Sequence, residues 1–108
     1  MMTNPSNRVQ LTGRVSSTVG ERELPSGDRI ASFRIVVPRA ARARKHTKQT
    51  VDVFDCTAWS VKTRRAVARL NVDDTVHVEG ELRRSFRRSD GAPTSFVGVD
   101  VQVCSRLE

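Results

Sequence analysis

The sequence predicts an all-β domain, a small closed barrel of five strands with one short helix between the third and fourth strands. The 108 residues leave room for a single domain. Apolar and polar residues alternate with a period of two in five separate stretches, and one stretch has helical spacing instead. Because one short helix cannot cover an open sheet, these strands protect their edges best by closing into a barrel.

Two strands precede the first long loop. In the first strand, which begins at Arg8, every second residue is apolar or a glycine that permits a bend. These residues are Val9, Leu11, Gly13 and Val15. A turn is predicted at residues 24–28, which read LPSGD. The second strand ends at Pro38 and has Arg34 on its outer face. Its inner face consists of Ala31, Phe33, Ile35 and Val37.

A loop, a strand and the predicted helix come next. Residues 38–49 read PRAARARKHTKQ and contain no large apolar side chain, so an exposed loop or hairpin tip is predicted. The third strand covers residues 50–59. One side carries Phe54, Cys56 and Ala58, and the other carries Val53, Asp55, Thr57 and Trp59. Ser60 suits a helix N-cap. Apolar residues then follow at helical spacing, namely Val61, Ala66, Val67 and Leu70.

The last two strands form a predicted hairpin around the turn Asp90-Gly91. The fourth strand has Gly80 at a bend, and its inward residues are Val76, Val78 and Leu82. The fifth strand is predicted to turn one row of valines inward, namely Val97, Val99, Val101 and Val103. The resulting order, β-β-β-α-β-β, is that of the OB-fold, a five-stranded Greek-key barrel.

Several classes of protein are excluded by the composition. The apolar clusters are too short to cross a membrane, and the polar N-terminus has no secretory leader, so we expect a cytoplasmic protein. Cys56, Cys104, His46 and His77 lack metal-site or disulfide spacing, so we expect no metal and no cofactor. Since no nucleophile, phosphate-loop or HExxH motif is present, we expect no catalytic residues and no enzyme activity.

Positive charge is concentrated in three stretches. With 19 Lys and Arg against 12 Asp and Glu, the formal net charge is +7, which predicts a polyanionic partner. The stretches are residues 39–48, 62–69 and 83–88. In an OB barrel the first and last belong to hairpins that bracket one groove, so a sequence-independent phosphate-binding surface is predicted. The phosphate-binding candidates are Arg34, Arg39, Arg42, Arg44, Lys45, Lys48, Lys62, Arg83, Arg84, Arg87 and Arg88.

Exposed aromatic rings distinguish single strands from duplexes, because only unpaired bases can stack on them. Trp59 is in phase with Asp55 and Thr57, so its ring is predicted to point out of the core and stack a base. Packing over the end of the barrel is the alternative. Phe86 stands among four arginines in RRSFRR and is predicted to be a second exposed ring. Phe96 is out of phase with the valines of its strand, and its role stays open.

These segments together resemble a known family. The segments NRVQLTGRV, ASFRIVV, FDCTAW and TVHVEGELR, then a basic hairpin and a valine-rich last strand, are similar in order and spacing to bacterial single-stranded DNA-binding proteins, particularly the actinobacterial type. The similarity covers residues 7–106. It implies an OB-fold that pairs through its first strand into dimers and usually tetramers. It also implies wrapping of single-stranded DNA, with no catalysis and no cofactor.

The resemblance extends to individual positions, with two departures. Trp59 matches the family's stacking aromatic, Phe86 lies at or next to another, and Lys62 matches a basic residue. The basic loop at residues 39–48 lacks the Trp that the family often has there, and Val53 stands in place of a frequent aromatic. Because two stacking rings are missing, we expect binding to depend more on phosphate contacts and on salt than is usual for the family.

The sequence therefore predicts a domain at residues 7–106 that binds single-stranded DNA with little sequence preference. Its role would be in replication, recombination or repair, on nucleoid DNA. The alternative is an OB-fold assembly protein, like the primosomal replication protein related to this family, with weak electrostatic DNA binding. An RNA-binding barrel of the cold-shock kind fits less well, because those barrels are shorter and carry clustered aromatics.

Assembly is predicted from the first strand and from the ends of the chain. An uncovered barrel edge pairs readily with its symmetry mate, so Val9, Leu11 and Gly13 are predicted to form a homodimer interface. Tetramers follow from the resemblance, although Phe54 stands where the family often has an interface His. Residues 1–6 are predicted to be a flexible arm, and residues 107–108 a tail stub or cloning remnant. Replication and repair proteins are expected as partners only if the gene product has an acidic tail; otherwise the chain is a short paralogue.

Overall fold

Residues 3–107, which the computed structural model describes apart from the side chains of residues 87–89, form a six-stranded sheet with a short helix. The elements are β1 Val9–Val15, β2 Gly20–Glu23, β3 Arg29–Pro38, a 3₁₀ turn Ala41–Arg44, β4 Val51–Ala58, α1 Val61–Ala68, β5 Thr75–Ser89 and β6 Ala92–Leu107. The sheet order is β1-β5-β6-β4-β3-β2, and β1 also pairs with β3, which closes a barrel. The predicted all-β barrel, with its helix before the final hairpin, is confirmed.

The prediction of five strands missed β2. The segment Gly20–Glu23 reads GERE and is exposed along its whole length, so no apolar alternation marks it. It pairs with residues 29–32 of β3, across the predicted turn at residues 24–28. There the Leu24 N–H donates to the Asp28 carbonyl at 2.7 Å. Backbone pairing with β3, rather than burial of side chains, therefore makes this segment a strand.

The core fills the inside of the barrel with small and β-branched side chains. The largest fully buried side chains are Ile35, Val15, Val67, Val76, Val78, Val99 and Cys56. The predicted inner faces of β3 and β4 are thus confirmed for Ile35 and Cys56. Burial raises the pKa of the Cys56 thiol to about 12, so the thiol stays protonated at neutral pH and packs as a small apolar group.

Three valine and leucine positions that were predicted to face the core are exposed instead, namely Leu82, Val97 and Val103. Glu79 pairs with Val103 while Gly80 pairs with Val101, so Gln102 is an extra residue that forms a bulge in β6. The bulge reverses the alternation of β6, which places Val103 outside. Leu82 and Val97 alternate in phase with the buried residues of the hairpin. They are exposed because they lie beyond the part of the hairpin that pairs with β1 and β4.

The helix α1 packs against β6, β3 and β4. Ser60 is its N-cap, as predicted, and the Ser60 Oγ accepts the Thr63 backbone N–H at 3.1 Å. Thr63 and Val67 are buried, whereas Val61, the first of the apolar residues at helical spacing, is 54% exposed. Neither helical segment within residues 3–107 has the length and apolar composition needed to cross a membrane.

Gly13 lies where β1 crosses β3 and the barrel closes. Its position is buried, and a Cβ atom there would collide with the carbonyl oxygen of Val36. Gly80 is a similar point, where a Cβ atom would collide with the carbonyl oxygen of Asp100. The enclosed position of Gly13 does not fit its predicted place on an assembly surface. Its observed role is to let two backbones approach closely.

The variant Gly13→Ala is expected to lower the free energy of unfolding by about 1–3 kcal/mol, because β1 must move away from β3 to admit the methyl group. Gly20→Ala is the matched control, since its added Cβ would meet only the Ser32 Oγ, at 3.7 Å. Urea unfolding followed by circular dichroism compares the two variants. Equal stability of both would contradict the close approach at Gly13.

Candidate nucleic-acid interface

A cleft of about 470 Å³ opens on the outer face of β3 and β4, beside the β5–β6 hairpin. Arg34, Asp55 and Thr57 lie on its floor, because these residues alternate with the buried residues of β3 and β4. A second cleft, of about 280 Å³, shares these three residues and reaches the loop at Ser17 and Thr18. The two clefts therefore form one continuous track across the outer face of the barrel.

Trp59 lies at the end of this track, directly after β4. Its side chain is 42% exposed and lines the cleft, on the outward side that the sequence predicts. The indole Nε1–H donates to Asp100 Oδ1 at 3.3 Å, and the Trp59 carbonyl accepts from Arg64 Nε at 3.2 Å. The ring is thus anchored at one edge while part of its surface remains accessible.

Two phenylalanines of the β5–β6 hairpin also line the cleft. Phe96 is 44% exposed and pairs with Ser85, in phase with Gly98 and Asp100 on the outer face. Phe86 is 74% exposed but belongs to the next residue pair, opposite Ser95. Strand alternation therefore places Phe96, whose role the sequence left open, on the same face as Trp59. The two-residue Asp90-Gly91 turn fixes the register of the hairpin. Residue pairs counted from this turn would therefore have placed Phe96 on the outer face.

Two of the three arginines that line the cleft are already paired with carboxylates. Arg34 Nε lies 2.8 Å from Asp55 Oδ1, and Arg83 Nε donates to Asp100 Oδ2. Neither aspartate was predicted as a partner, because each faces its arginine only through the pairing of neighbouring strands. Each pair brings opposite charges together, so the floor of the cleft is close to electrically neutral. Within residues 3–107, no three His, Cys, Asp or Glu side chains lie close enough together to hold a metal ion.

Arg39 has a structural contact that the sequence did not reveal. Its Nη2 lies 2.6 Å from Asp52 Oδ1, and its backbone N–H donates to the Thr50 carbonyl at 2.8 Å. The hydrogen bond between the side chains raises the pKa of Arg39 and lowers the pKa of Asp52. In the structure this residue therefore joins the two ends of the loop at residues 39–50, and its phosphate contact stays a prediction.

The other cations of that loop lie outside the cleft. The 3₁₀ turn carries Arg42 and Arg44, and Lys45 and Lys48 follow it, all of them exposed. The loop begins four residue pairs beyond the Arg34–Asp55 pair along the β3–β4 ladder, a distance of about 13 Å. The two basic hairpins therefore do not bracket the cleft as predicted. Instead, the loop at residues 39–50 lies beyond the end of the β3–β4 ladder.

The remaining predicted cations are dispersed. Lys62 is exposed in the first turn of α1, outside the residues that line the cleft. Arg84 is in phase with Phe86 and donates to Ser95 Oγ at 3.2 Å. The side chains of Arg87 and Arg88 lie outside the described residues. Arg22 of β2 lines the cleft although the sequence did not point to it. Only pairing between β2 and β3 brings Arg22 there, so no sequence pattern could have indicated it.

Residues 6–106 match the model of the Single-strand binding protein family. This chain belongs to that family. It is 29% identical over 86 residues to the single-stranded DNA-binding protein of Bacillus cereus, covering 79% of this chain and 50% of that protein. It is 26% identical over 103 residues to single-stranded DNA-binding protein 2 of Listeria innocua, covering 94% of this chain and 64% of that one. The chain thus spans about half the length of its Bacillus cereus relative.

A solved structure of the same family shares the fold. A chain of the Plasmodium falciparum SSB complex with ssDNA superposes with a TM-score of 0.80 at 18% identity, with 100% of both chains covered. At this identity the likeness concerns the fold alone. It confirms the OB-fold that the order of elements predicts.

Proposed function

We propose that this protein binds single-stranded DNA with little sequence preference, and that it has no catalytic activity. The observation that supports this proposal is the pair of exposed rings, Trp59 and Phe96, on one face of the cleft in a member of the Single-strand binding protein family. Every base has a face that can stack on a ring, whereas the bases of a duplex do not present theirs. A cleft of this kind therefore favours unpaired strands and tolerates any sequence.

The bases and phosphates would lie over different parts of the surface. The floor of the cleft is close to neutral, because Arg34 and Arg83 are paired with aspartates. Stacked bases fit such a floor better than phosphates do. The exposed cations at residues 42–48 and Lys62 are the sites for the sugar-phosphate backbone, where they displace condensed counterions. Phe86 stands on the adjoining hairpin as a third ring for a further base.

Finer assignments follow from family membership and stay predictions. They are a role in replication, recombination or repair, the actinobacterial type, a cytoplasmic location on the nucleoid, and recruitment of repair and replication proteins by an acidic tail if the gene product has one. One observation favours the assembly-protein alternative: Val53, 52% exposed, stands where the family often has a ring. Micromolar or weaker DNA binding together with stoichiometric capture of a replication protein would support that alternative.

Trp59→Ala and Phe96→Ala are each expected to weaken binding of an oligothymidylate by about 1–3 kcal/mol, because each removes one stacking surface. Fluorescence anisotropy of a labelled oligonucleotide measures the affinity. Val61→Ala is the control, since this exposed side chain lies on α1 outside the cleft. In the unsubstituted protein, stacking should quench Trp59, the one tryptophan of the chain. If the protein showed neither quenching nor binding at low salt, the proposed function would be contradicted.

A comparison of two loop arginines tests the proposed path of the phosphates. Arg42→Ala is expected to reduce the slope of log K against log salt by about one, because an exposed cation that displaces counterions is lost. Arg39→Ala is the matched variant from the same loop and should change that slope less, because Asp52 already neutralises Arg39. Anisotropy titrations over a series of salt concentrations give both slopes. Equal reductions would contradict the proposed roles.

We also propose that the protein is at least a homodimer, formed through β1. Among the described residues, β1 pairs with β5 from Val9 to Arg14, but with β3 only at Arg14 and Val15. The stretch from Val9 to Thr12 thus has one backbone edge free for a strand of another copy. Val9 and Leu11 flank this edge and are half-buried against the core. Tetramers of such dimers stay a prediction.

Light scattering of the free protein is expected to give at least twice the 12.1 kDa chain mass, because two-fold pairing of β1 covers the open edge. Thr12→Pro is expected to lower this mass, because proline lacks the N–H that a strand ladder with a second copy needs. The variant should still fold, since proline is tolerated at the edge of a sheet. A monomeric mass for the unsubstituted protein across micromolar concentrations would contradict this interface.

A further inference from the structure

We propose that Asp100 is a positioning residue that holds the Trp59 ring ready to receive a base, so that this carboxylate raises the affinity for single-stranded DNA. The inference rests on the DNA binding proposed above. It is contrary to the simplest electrostatic expectation, because a negative charge in a DNA-binding cleft repels phosphates.

Both oxygens of the Asp100 carboxylate are engaged. Oδ1 accepts the Trp59 indole N–H at 3.3 Å, and Oδ2 accepts from Arg83 Nε. The Asp100 side chain is only 19% exposed, whereas that of Arg83 is 61% exposed. Arg83 thus neutralises the carboxylate through Oδ2, while Oδ1 accepts the indole N–H.

The backbone of Asp100 is held from both sides. Asp100 pairs with Thr57 of β4 in the parallel direction and with Glu81 of β5 in the antiparallel direction. The absence of a side chain at Gly80 lets β5 approach the Asp100 carbonyl closely. With its backbone fixed by two strands and its Oδ2 bonded to Arg83, the carboxylate is a rigid acceptor, so it can define where the indole edge lies.

The backbone of Trp59 is fixed independently. Ser60 caps α1, and Arg64 of the first helical turn donates to the Trp59 carbonyl at 3.2 Å. With the backbone held, rotation about the side-chain bonds is the freedom that remains to the ring. The bond to Asp100 restricts that rotation before DNA arrives, so less conformational entropy is lost when a base stacks.

Asp55 supplies the matched comparison. It lies on the same outer face, lines the same cleft and also pairs with an arginine, Arg34, at 2.8 Å. The two aspartates differ in exposure, 62% for the Asp55 side chain against 19% for that of Asp100, and in that the Trp59 indole donates to Asp100. If both aspartates act through charge alone, removing either one should strengthen DNA binding. If Asp100 positions Trp59, the two substitutions change the affinity in opposite directions.

The test compares Asp100→Val with Asp55→Val in anisotropy titrations of a labelled oligothymidylate. Valine resembles aspartate in shape and favours strands, and Asp100→Ala is the second variant should Asp100→Val melt below the measuring temperature. We expect Asp100→Val to bind about five- to tenfold more weakly, near the lower range for loss of one stacked base. Asp55→Val is expected to bind more tightly. Equal or tighter binding by Asp100→Val would overturn the proposal.

Asp100→Asn separates the hydrogen bond from the charge. Its amide oxygen can still accept the indole N–H, so we expect binding at least as tight as that of the unsubstituted protein. If Asp100→Asn bound as weakly as Asp100→Val, the charge rather than the bond to Trp59 would matter, and the proposal would be wrong.

Fluorescence of the DNA-free protein provides a readout that loss of binding cannot mimic. In Asp100→Val the Trp59 emission should lose steady-state anisotropy and become more accessible to acrylamide, whereas Asp100→Asn should retain both properties. Unchanged anisotropy in Asp100→Val would refute the anchoring and leave the proposed function intact. Failure of the unsubstituted protein to bind the oligonucleotide would refute the proposed function while the anchoring could still be seen.

Discussion

Closure of the barrel at the crossing of β1 and β3 is the constraint on which the rest of the structure depends. The crossing is possible because Gly13 has no side chain to separate the two backbones. Arg14 and Val15 then pair with β3, while the preceding residues pair with β5. With the sheet closed, the outer face of β3 and β4 is turned to solvent. The same closure leaves an edge of β1 uncovered.

In the proposed mode of binding, charge pairing in the cleft separates the contacts with bases from the contacts with phosphates. Arg34 and Arg83 contribute their charge to neighbouring aspartates. Arg39 does the same with Asp52 at the base of the loop. The exposed cations that remain lie mainly in the loop at residues 39–50 and on α1. The proposed base stacking and attraction of phosphates are therefore divided between a neutral floor and a positively charged periphery.

Trp59 stands where several elements of the fold meet. It follows the last residue of β4, precedes the cap of α1 and contacts β6 through Asp100. Its proposed role in stacking depends on this rigidity as much as on its exposure. A flexible ring would lose more conformational entropy on meeting a base.

The sequence by itself determined the alternation of β1, β3 and β4, the Ser60 cap, the Asp90-Gly91 turn and the outward direction of Trp59, because each depends on residues adjacent in the chain. Only the tertiary structure decided the bulge at Gln102, which turns Val103 outward, and the strand β2, which pairs only through its backbone. The Arg–Asp pairs and the shared face of Trp59 and Phe96 also join distant segments. Their partners are set by strand register and barrel closure, which no local pattern encodes.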